Sequence, residues 1–469
     1  MLSLDDLRLK HPRFYFDQAV LDQQSDHLII RLHYHFEAGP AFESRYLFPQ
    51  LTAESMVTKD QTLLKVWAAQ LGMVEGLSYW KAACSPEWVI KVPGIYAEQF
   101  PFWLNLLHKG MSEFFYIHQI NGWEDNFVTF KTEVDDADQL HPEIDHAVHQ
   151  HRILFPVGGG KDSVVSSELL RQTQTPMTTF TINEYPQQQR VVETFWQTQP
   201  NQKSHITVQR QLDPQILDLN AQGYLNGHTP FNAMAAFLGT FAAYAYDYTF
   251  FPVSNEWSAN EGNTVFLGQS INHQYSKTVE FEEQFRSYQQ QYLSKTIEYF
   301  SYLRPLHELQ IASLFTQFKQ YWPVFLSCNR GQKTGTWCGE CPKCLFVAVL
   351  LAAFLTEPEL DSIFKKDILN NQELRDLLDQ LAGFTDVKSL ECVGTRDETR
   401  AALALAADRL QPLPELIQYG WQKILDSGKT KEAALSEARE LLVRFVEHHF
   451  IPSEFVPSLK DAIAAQRKL

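Results

Sequence analysis

The sequence predicts an α/β protein built on a parallel sheet, with an α+β unit ahead of it and a helical unit behind. Three observations predict this class. Short β-type runs alternate with helical patterns through residues 148–350, residues 1–147 mix both periodicities, and residues 351–469 carry helical patterns alone. A chain of 469 residues leads one to expect roughly two to four domains.

The elements follow in order. HLIIRLHYHF (27–36) is β-branched and aromatic with partial alternation and reads as a strand. EFFYIHQI (113–120) and FVTFKTEV (127–134) read as strands on the same grounds, and between the first of these three runs and the second, residues 58–77 place apolar side chains at helical spacing. The acidic stretch DDADQLHPEIDH (135–146) reads as a linker. ILFPV (153–157), MTTFTI (177–182) and YTFFPVS (248–254) are the short apolar runs of a parallel sheet, and residues 230–247, apolar nearly all round, predict a buried helix. Residues 395–410 and 430–449 are the clearest helices of the last part. The chain shows neither an internal repeat nor a low-complexity tract.

Composition narrows the function. With 44% hydrophobic and 13% aromatic residues a large core can be buried, while a formal charge of −16 and no run of Lys and Arg argue against a nucleic acid partner. The opening MLSLDDLRLKHPRF lacks the pattern of a secretion signal. The longest apolar run, 345–355, is shorter than the ~20 residues that cross a bilayer. A cytoplasmic protein with a small-molecule substrate and no membrane partner is the expectation.

In FPVGGGKDSV (155–164) three glycines follow an apolar strand and precede a helix. Helix N-termini present unpaired N–H groups and partial positive charge, and glycines allow close approach and positive φ, so this turn suits a phosphate. A Walker A loop is excluded because Phe155 and Asp162 stand where glycine and Ser/Thr are required, and a dinucleotide fingerprint fails for want of its third glycine. Gly158, Gly159, Gly160, Lys161, Asp162 and Ser163 are the candidate nucleotide-binding residues. Asp162 also offers hard oxygens to magnesium.

SCNRGQKTGTWCGECPKC places Cys328, Cys338, Cys341 and Cys344 at C-x9-C-x2-C-x2-C. Two-residue gaps turn successive thiolates onto one ion, and a filled set of four sulfurs suits structural zinc. An iron–sulfur cluster is the alternative occupant.

Two resemblances extend these readings. The GGGKDS run resembles the S-G-G-x-D-S loop of the PP-loop ATP pyrophosphatases, with Gly158 where serine is usual, and the cysteine spacing is similar to that of the PP-loop synthases of 7-cyano-7-deazaguanine, where it holds zinc. GLSYWKAACSPEW (76–88), NGHTP (226–230), SNEWSAN (254–260), NHQYSK (272–277), YLRPLHEL (302–309), WCGECPKC (337–344) and ECVG (391–394) resemble the MurL family of UDP-N-acetylmuramoyl-L-alanyl-L-glutamate epimerases, over roughly residues 76–406. That resemblance implies a Rossmann-like PP-loop domain. It also implies inversion of the terminal L-glutamate of a UDP-muramoyl dipeptide, driven by ATP and Mg2+ with AMP and pyrophosphate as products, in peptidoglycan precursor synthesis.

Within these stretches the candidate catalytic residues are Asp162, Glu256, His273, Lys277 and Cys392, and the candidate substrate-binding residues are Asn255 and Arg304. Asn255 and Glu256 follow a strand, where a parallel sheet binds ligands, although a strand-ending turn also favours such residues. His273 and Lys277 share a face if residues 272 onward are helical, as a base and a phosphate contact or as solvated side chains. Arg304 clamps a carboxylate or caps a neighbouring helix, and Cys392 is a thiolate base or a small buried hydrophobe. Another PP-loop adenylating enzyme and a non-catalytic ATP-binding protein are the competing functions.

Overall fold

The computed structural model describes residues 2–466. Its strands are β1 (Arg13–Gln23), β2 (His27–Phe36), β3 (Ala41–Pro49), β4 (Glu87–Ile90), β5 (Thr129–Thr132), β6 (Gln150–Pro156), β7 (Met177–Ile182), β8 (His205–Gln211), β9 (Tyr248–Val253), β10 (Thr264–Phe266), β11 (Gln269–Ile271) and β12 (Glu298–Ser301). Ten of them form one sheet in the order β12-β9-β6-β7-β8-β3-β2-β1-β4-β5, while β10 and β11 make a separate hairpin.

Pairing is parallel from β12 to β8, antiparallel from β8 through β3 and β2 to β1, and parallel again from β1 to β5. The α/β class therefore holds, and the strands expected at 27–36, 127–134, 153–157, 177–182 and 248–254 all form. Residues 113–120 do not: Ser112–His118 is a helix that follows Phe100–Gly110 after the single non-helical residue Met111 and stops at Gln119, whose φ is 55°. The reason is that Phe114 and Phe115 are buried side by side, a helical arc, where alternation would send them to opposite faces.

Helices cover both faces of the sheet. Leu154 points to a core shared with the helices Gln61–Trp80, Phe231–Ala245 and Val279–Tyr292; its neighbours Ile153 and Phe155 point to a second core with Lys161–Arg171, Glu308–Phe315, Pro342–Ala352 and Arg396–Arg409. Burial on both faces explains why the parallel strands are unbroken apolar runs. Phe231–Ala245 is buried nearly all round, as its composition predicts.

The helix expected over 395–410 is Arg396–Arg409, whereas the one expected over 430–449 ends at Val443 and the chain runs irregularly before a last helix, Val456–Gln466. Among the described residues no strand follows Cys344, and no helix is long and apolar enough to cross a membrane.

In the parallel half the chain starts at β6, moves out one way through β7 and β8, then returns to add β9 and β12 on the other side. Such a reversal leaves a crevice beyond the carboxyl ends of the two central strands. The glycine run opens there.

Candidate active site

Strand β6 ends at Pro156 and the helix Lys161–Arg171 begins at once, with Gly160 as its N-cap. Gly159 takes φ +84°, and its amide donates to the Ser163 hydroxyl at 3.2 Å. Leu326 donates its amide to the Gly159 carbonyl at 2.9 Å, and a Cβ on Gly160 would lie 2.9 Å from the Ser327 hydroxyl. Nothing lies within 4 Å of the place where a Gly158 side chain would begin. The loop thus needs glycine at two positions for its fold and leaves space at the third. Val157, Gly158, Asp162, Ser254, Asn255 and Lys277 line a cleft above it.

Acidic groups converge beside the cleft. Lys161 is buried, donates to Asp162 at 2.5 Å and pairs with Glu308. Burial opposes its charge, but these two carboxylates outweigh burial and hold it well above the ordinary lysine range. Asp162, Glu256 and Glu308 each place a carboxylate oxygen within 4.8 Å of the other two. Glu256 is 1% exposed and, among the described residues, neither of its oxygens has a hydrogen-bond partner. Burial raises its pKa, against the pull of Lys277. A buried carboxyl group with two orphaned oxygens is costly unless it is protonated or holds a cation.

A second cluster adjoins the first through Lys277. The His273 Nδ1 faces the Glu113 carboxylate, and the His228 ring lies 4.5 Å from that of His273, centroid to centroid. Burial works against a charge on His273, yet hydrogen bonds with Cys392 and Glu113 raise its pKa to about 10. Burial also opposes ionisation of Cys392, but Lys277, Lys343 and His273 bring that thiol down to about 5. His228, half-buried and beside the charged His273, falls to about 4. Glu113, His228 and His273 come within 4.8 Å of one another, but His273 Nδ1 and the Glu113 carboxylate satisfy each other and the protonated ring has no lone pair for a metal.

Local sequence explains how the segments meet. Asn263 donates to the Ser389 carbonyl at 2.6 Å and accepts from the His273 amide at 2.9 Å, while Gln274 donates to the Val393 carbonyl at 3.0 Å. A Cβ on Gly394 would fall 2.8 Å from a Glu398 oxygen and 3.0 Å from the Glu308 Cβ, so ECVG packs against the acid cluster only with glycine there.

The expected helical face for His273 and Lys277 is corrected: residues Tyr275–Lys277 form one 3-10 turn, because Thr278 is extended and its hydroxyl caps the next helix by accepting from the Phe281 amide at 3.2 Å. Without a shared helical face, both side chains still favour the Cys392 thiolate. Arg304 is corrected as a substrate contact. It is fully buried, it donates through Nε and a terminal nitrogen to Glu282 at 3.1 and 3.0 Å, and it donates at 2.5 Å to the carbonyls of Glu256 and Lys277. Its guanidinium positions those two residues. Asn255 lines the cleft and donates to Ser301 at 3.2 Å.

The four cysteines are gathered as their spacing predicts. Sulfur separations are 3.8 Å for Cys328 and Cys341, 3.7 Å for Cys338 and Cys344, and 3.4 Å for Cys341 and Cys344. Tetrahedral zinc with bonds of about 2.3 Å sets sulfurs about 3.8 Å apart. Backbone amides of Gly331, Cys338 and Gly339 donate to Cys328 and Cys344 at 3.2 to 3.4 Å, the bonding that metal-bound thiolates accept. The loop they anchor carries Leu326 and Ser327 against the glycine run.

Residues 7–302 match the MurL N-terminal domain and residues 324–432 the MurL C-terminal domain. The chain belongs to the MurL family. Among curated MurL relatives, the UDP-N-acetyl-alpha-D-muramoyl-L-alanyl-L-glutamate epimerase of Xanthomonas oryzae pv. oryzae is 32% identical over 85% of this chain and 86% of its own. The enzyme of the same name from Micromonospora sp. is 34% identical over 73% of this chain and 74% of its own, and that of Salinispora tropica is 32% identical over 75% and 73%. No solved structure matches.

The two MurL segments build the site jointly. The first supplies the glycine run, Glu113, His228, Glu256, His273 and Lys277; the second supplies the cysteine cage, Lys343 and Cys392; Glu308 lies between them. Sequence reasoning missed Glu113, His228, Glu308 and Lys343. Three of these sit inside stretches already conspicuous, NGHTP, YLRPLHEL and WCGECPKC, but Glu113 was hidden by the strand reading of its segment.

Proposed function

We propose that this chain inverts the terminal L-glutamate of a UDP-N-acetylmuramoyl-L-alanyl-L-glutamate to D-glutamate, with ATP cleaved to AMP and pyrophosphate through adenylation of the glutamate carboxylate. The observation that carries the reading is the junction of two clusters: a glycine-lined helix N-terminus suited to a triphosphate, and beside it a cysteine, lysine and histidine suited to proton and acyl chemistry. Membership of a family whose named relatives are such epimerases supports it.

The chemistry follows from charge. A proton α to a carboxylate is barely acidic, since its removal sets a second negative charge beside the first, at about 1.36 kcal/mol per pKa unit. In adenylation a carboxylate oxygen attacks the α-phosphorus, the bond to pyrophosphate breaks, and the negative carboxylate becomes a neutral carbonyl able to take up an enolate.

In this reading the glycine loop is a PP-loop: its amides and Ser163 hold the phosphates, and Lys161 sits in the same turn. Asp162 and Glu256 would hold the magnesium ion, which the orphaned oxygens of Glu256 fit and which when bound neutralises phosphate charge. Lys277 faces the developing enolate oxygen, while His273 and Cys392 complete the catalytic group; Asn255 orients substrate from the end of β9. Cys328, Cys338, Cys341 and Cys344 would hold a structural zinc ion, which would cross-link the loop over the glycines.

Chiral analysis of glutamate after incubation with the UDP-muramoyl dipeptide, ATP and magnesium tests the proposal. D-glutamate in the recovered peptide with stoichiometric pyrophosphate is expected. Recovery of L-glutamate alone from folded, ATP-binding protein would refute it.

A further inference from the structure

The residues around Cys392 form an arrangement the reaction above leaves only partly used. A carboxylate orients one ring nitrogen of His273, the bonds of Asn263 and Gln274 to the backbone of residues 389 and 393 hold the Cys392 segment against residues 273–274, and the charges of His273 and of two lysines that line the cleft bear on the sulfur. Nucleophilic cysteines and serines carry this order of nucleophile, imidazole and orienting acid, recognised by geometry and not by chain order. Because Glu113 takes Nδ1, Nε2 is the nitrogen left for Cys392. Three segments far apart in sequence contribute, and the Asn263 and Gln274 side chains tie two of them together through backbone bonds.

We infer that Cys392 is a covalent nucleophile, which captures the adenylated glutamate as a thioester held by the Cys392–His273–Glu113 triad. The inference rests on the adenylation proposed above, which supplies the electrophile. The sulfur attacks the acyl carbon, the bond from that carbon to the AMP oxygen breaks, and AMP leaves with the electron pair. No oxidant or further reactant is needed.

Sulfur shares its lone pairs poorly with the adjoining carbonyl, so a thioester is close to a ketone in the acidity of its α-proton. A proton leaves Cα and one returns to the opposite face, a stage neutral overall. Water then attacks the acyl carbon, the carbon–sulfur bond breaks, and carboxylate, free thiolate and two protons result. Lys277 is placed for the acyl oxygen throughout, since it interacts with both Cys392 and the acid cluster. The neutrality of His228 beside the charged His273 keeps a second positive charge off the triad.

Capture has a use that adenylation alone lacks. Once AMP departs, pyrophosphate can no longer reverse the activation, so slow inversion proceeds without loss of the activated acid.

The test uses the intact enzyme with UDP-muramoyl dipeptide and magnesium ATP, quenched in acid and digested. Mass spectrometry is expected to find the Cys392 peptide heavier by the substrate less one water, the increment being released by hydroxylamine. In Cys392→Ser an oxygen ester, cleaved more slowly, is expected to accumulate at the same position while epimerisation falls about a thousandfold. Exchange of labelled pyrophosphate into ATP is measured alongside in wild-type enzyme. Exchange with turnover and an unmodified residue 392 in both proteins would overturn the thioester and leave Cys392 a proton carrier. Absence of exchange would instead bring down the adenylation reading, and the thioester with it.

Discussion

Gly158, Gly159 and Gly160 occupy unequal surroundings although they are neighbours in the chain. Gly159 needs its positive φ of 84°, Gly160 backs onto Ser327, and Gly158 faces open space. Gly159→Ala should cost about 1 to 2 kcal/mol of stability, whereas Gly158→Ala should change it by less than about 0.5 kcal/mol; because Gly158 lines the cleft, its effect should appear in KM for ATP instead, and denaturant melts beside kinetics measure both. A second prediction concerns the Cys392 thiol. Its pKa is depressed from the ordinary value, so thiolate is fully present at neutral pH and is lost only as pH falls through about 5. Alkylation rates should follow that midpoint, and in Lys277→Met or His273→Asn the midpoint should climb toward the ordinary value of about 8.5. How much of this was legible in sequence depended on the residue. Asp162, Glu256, His273, Lys277 and Cys392 stood out because they lie in the glycine run or in the stretches that resemble the MurL family, but their mutual proximity is a product of the fold. Arg304 misled for a physical reason: the same fork that clamps a substrate carboxylate clamps Glu282 equally well.

The loop between Cys328 and Cys344 is the element on which the cleft depends most. It has little regular structure of its own, and residues on it or just ahead of it, Leu326 and Ser327, touch the glycine run. Its shape therefore follows from the sulfur cage, and removal of metal should be felt at the nucleotide. Chelation, or Cys338→Ser, should weaken ATP binding by about tenfold or more, equal to about 1.4 kcal/mol, as read by calorimetric titration; affinity unchanged after verified metal loss would show that the loop holds itself. At this scale the sequence was a good guide where periodicity ran long, as in Gln61–Trp80 and Arg396–Arg409, and a poor one for short aromatic stretches. Residues 113–120 have strand-like composition, and tertiary burial of Phe114 and Phe115 on one side decides their conformation. The irregular chain after Val443 likewise answers to tertiary demand: the Gln310 side chain donates to the carbonyls of Leu442 and Arg444, at 3.1 and 2.7 Å, and takes the helix end in hand.

Across the whole molecule, the sheet passes without interruption from the N-terminal third into the parallel half that carries the glycine run, joined where β3 pairs with β8. Beneath that join the Arg210 guanidinium grips Glu75 at 2.9 and 3.0 Å, Tyr46 donates to the same carboxylate, and Glu75 has no exposure. Taking away one partner of a buried pair leaves an uncompensated charge at about 3 to 5 kcal/mol. Glu75→Ala should therefore lower the stability of the protein by about that amount, monitored by chemical denaturation, with KM for ATP unaltered in the folded fraction. Nothing in the local patterns announced this union, because pairing between distant strands leaves no periodic trace in either one. The texture of the chain, changing after residue 147, pointed to separate units. A practical opportunity follows from the seam. The exposed turn at residues 135–138 buries no side chain, so a break there should leave two polypeptides that zip together along β3 and β8, and turnover by the reunited pieces would report on their encounter inside a cell.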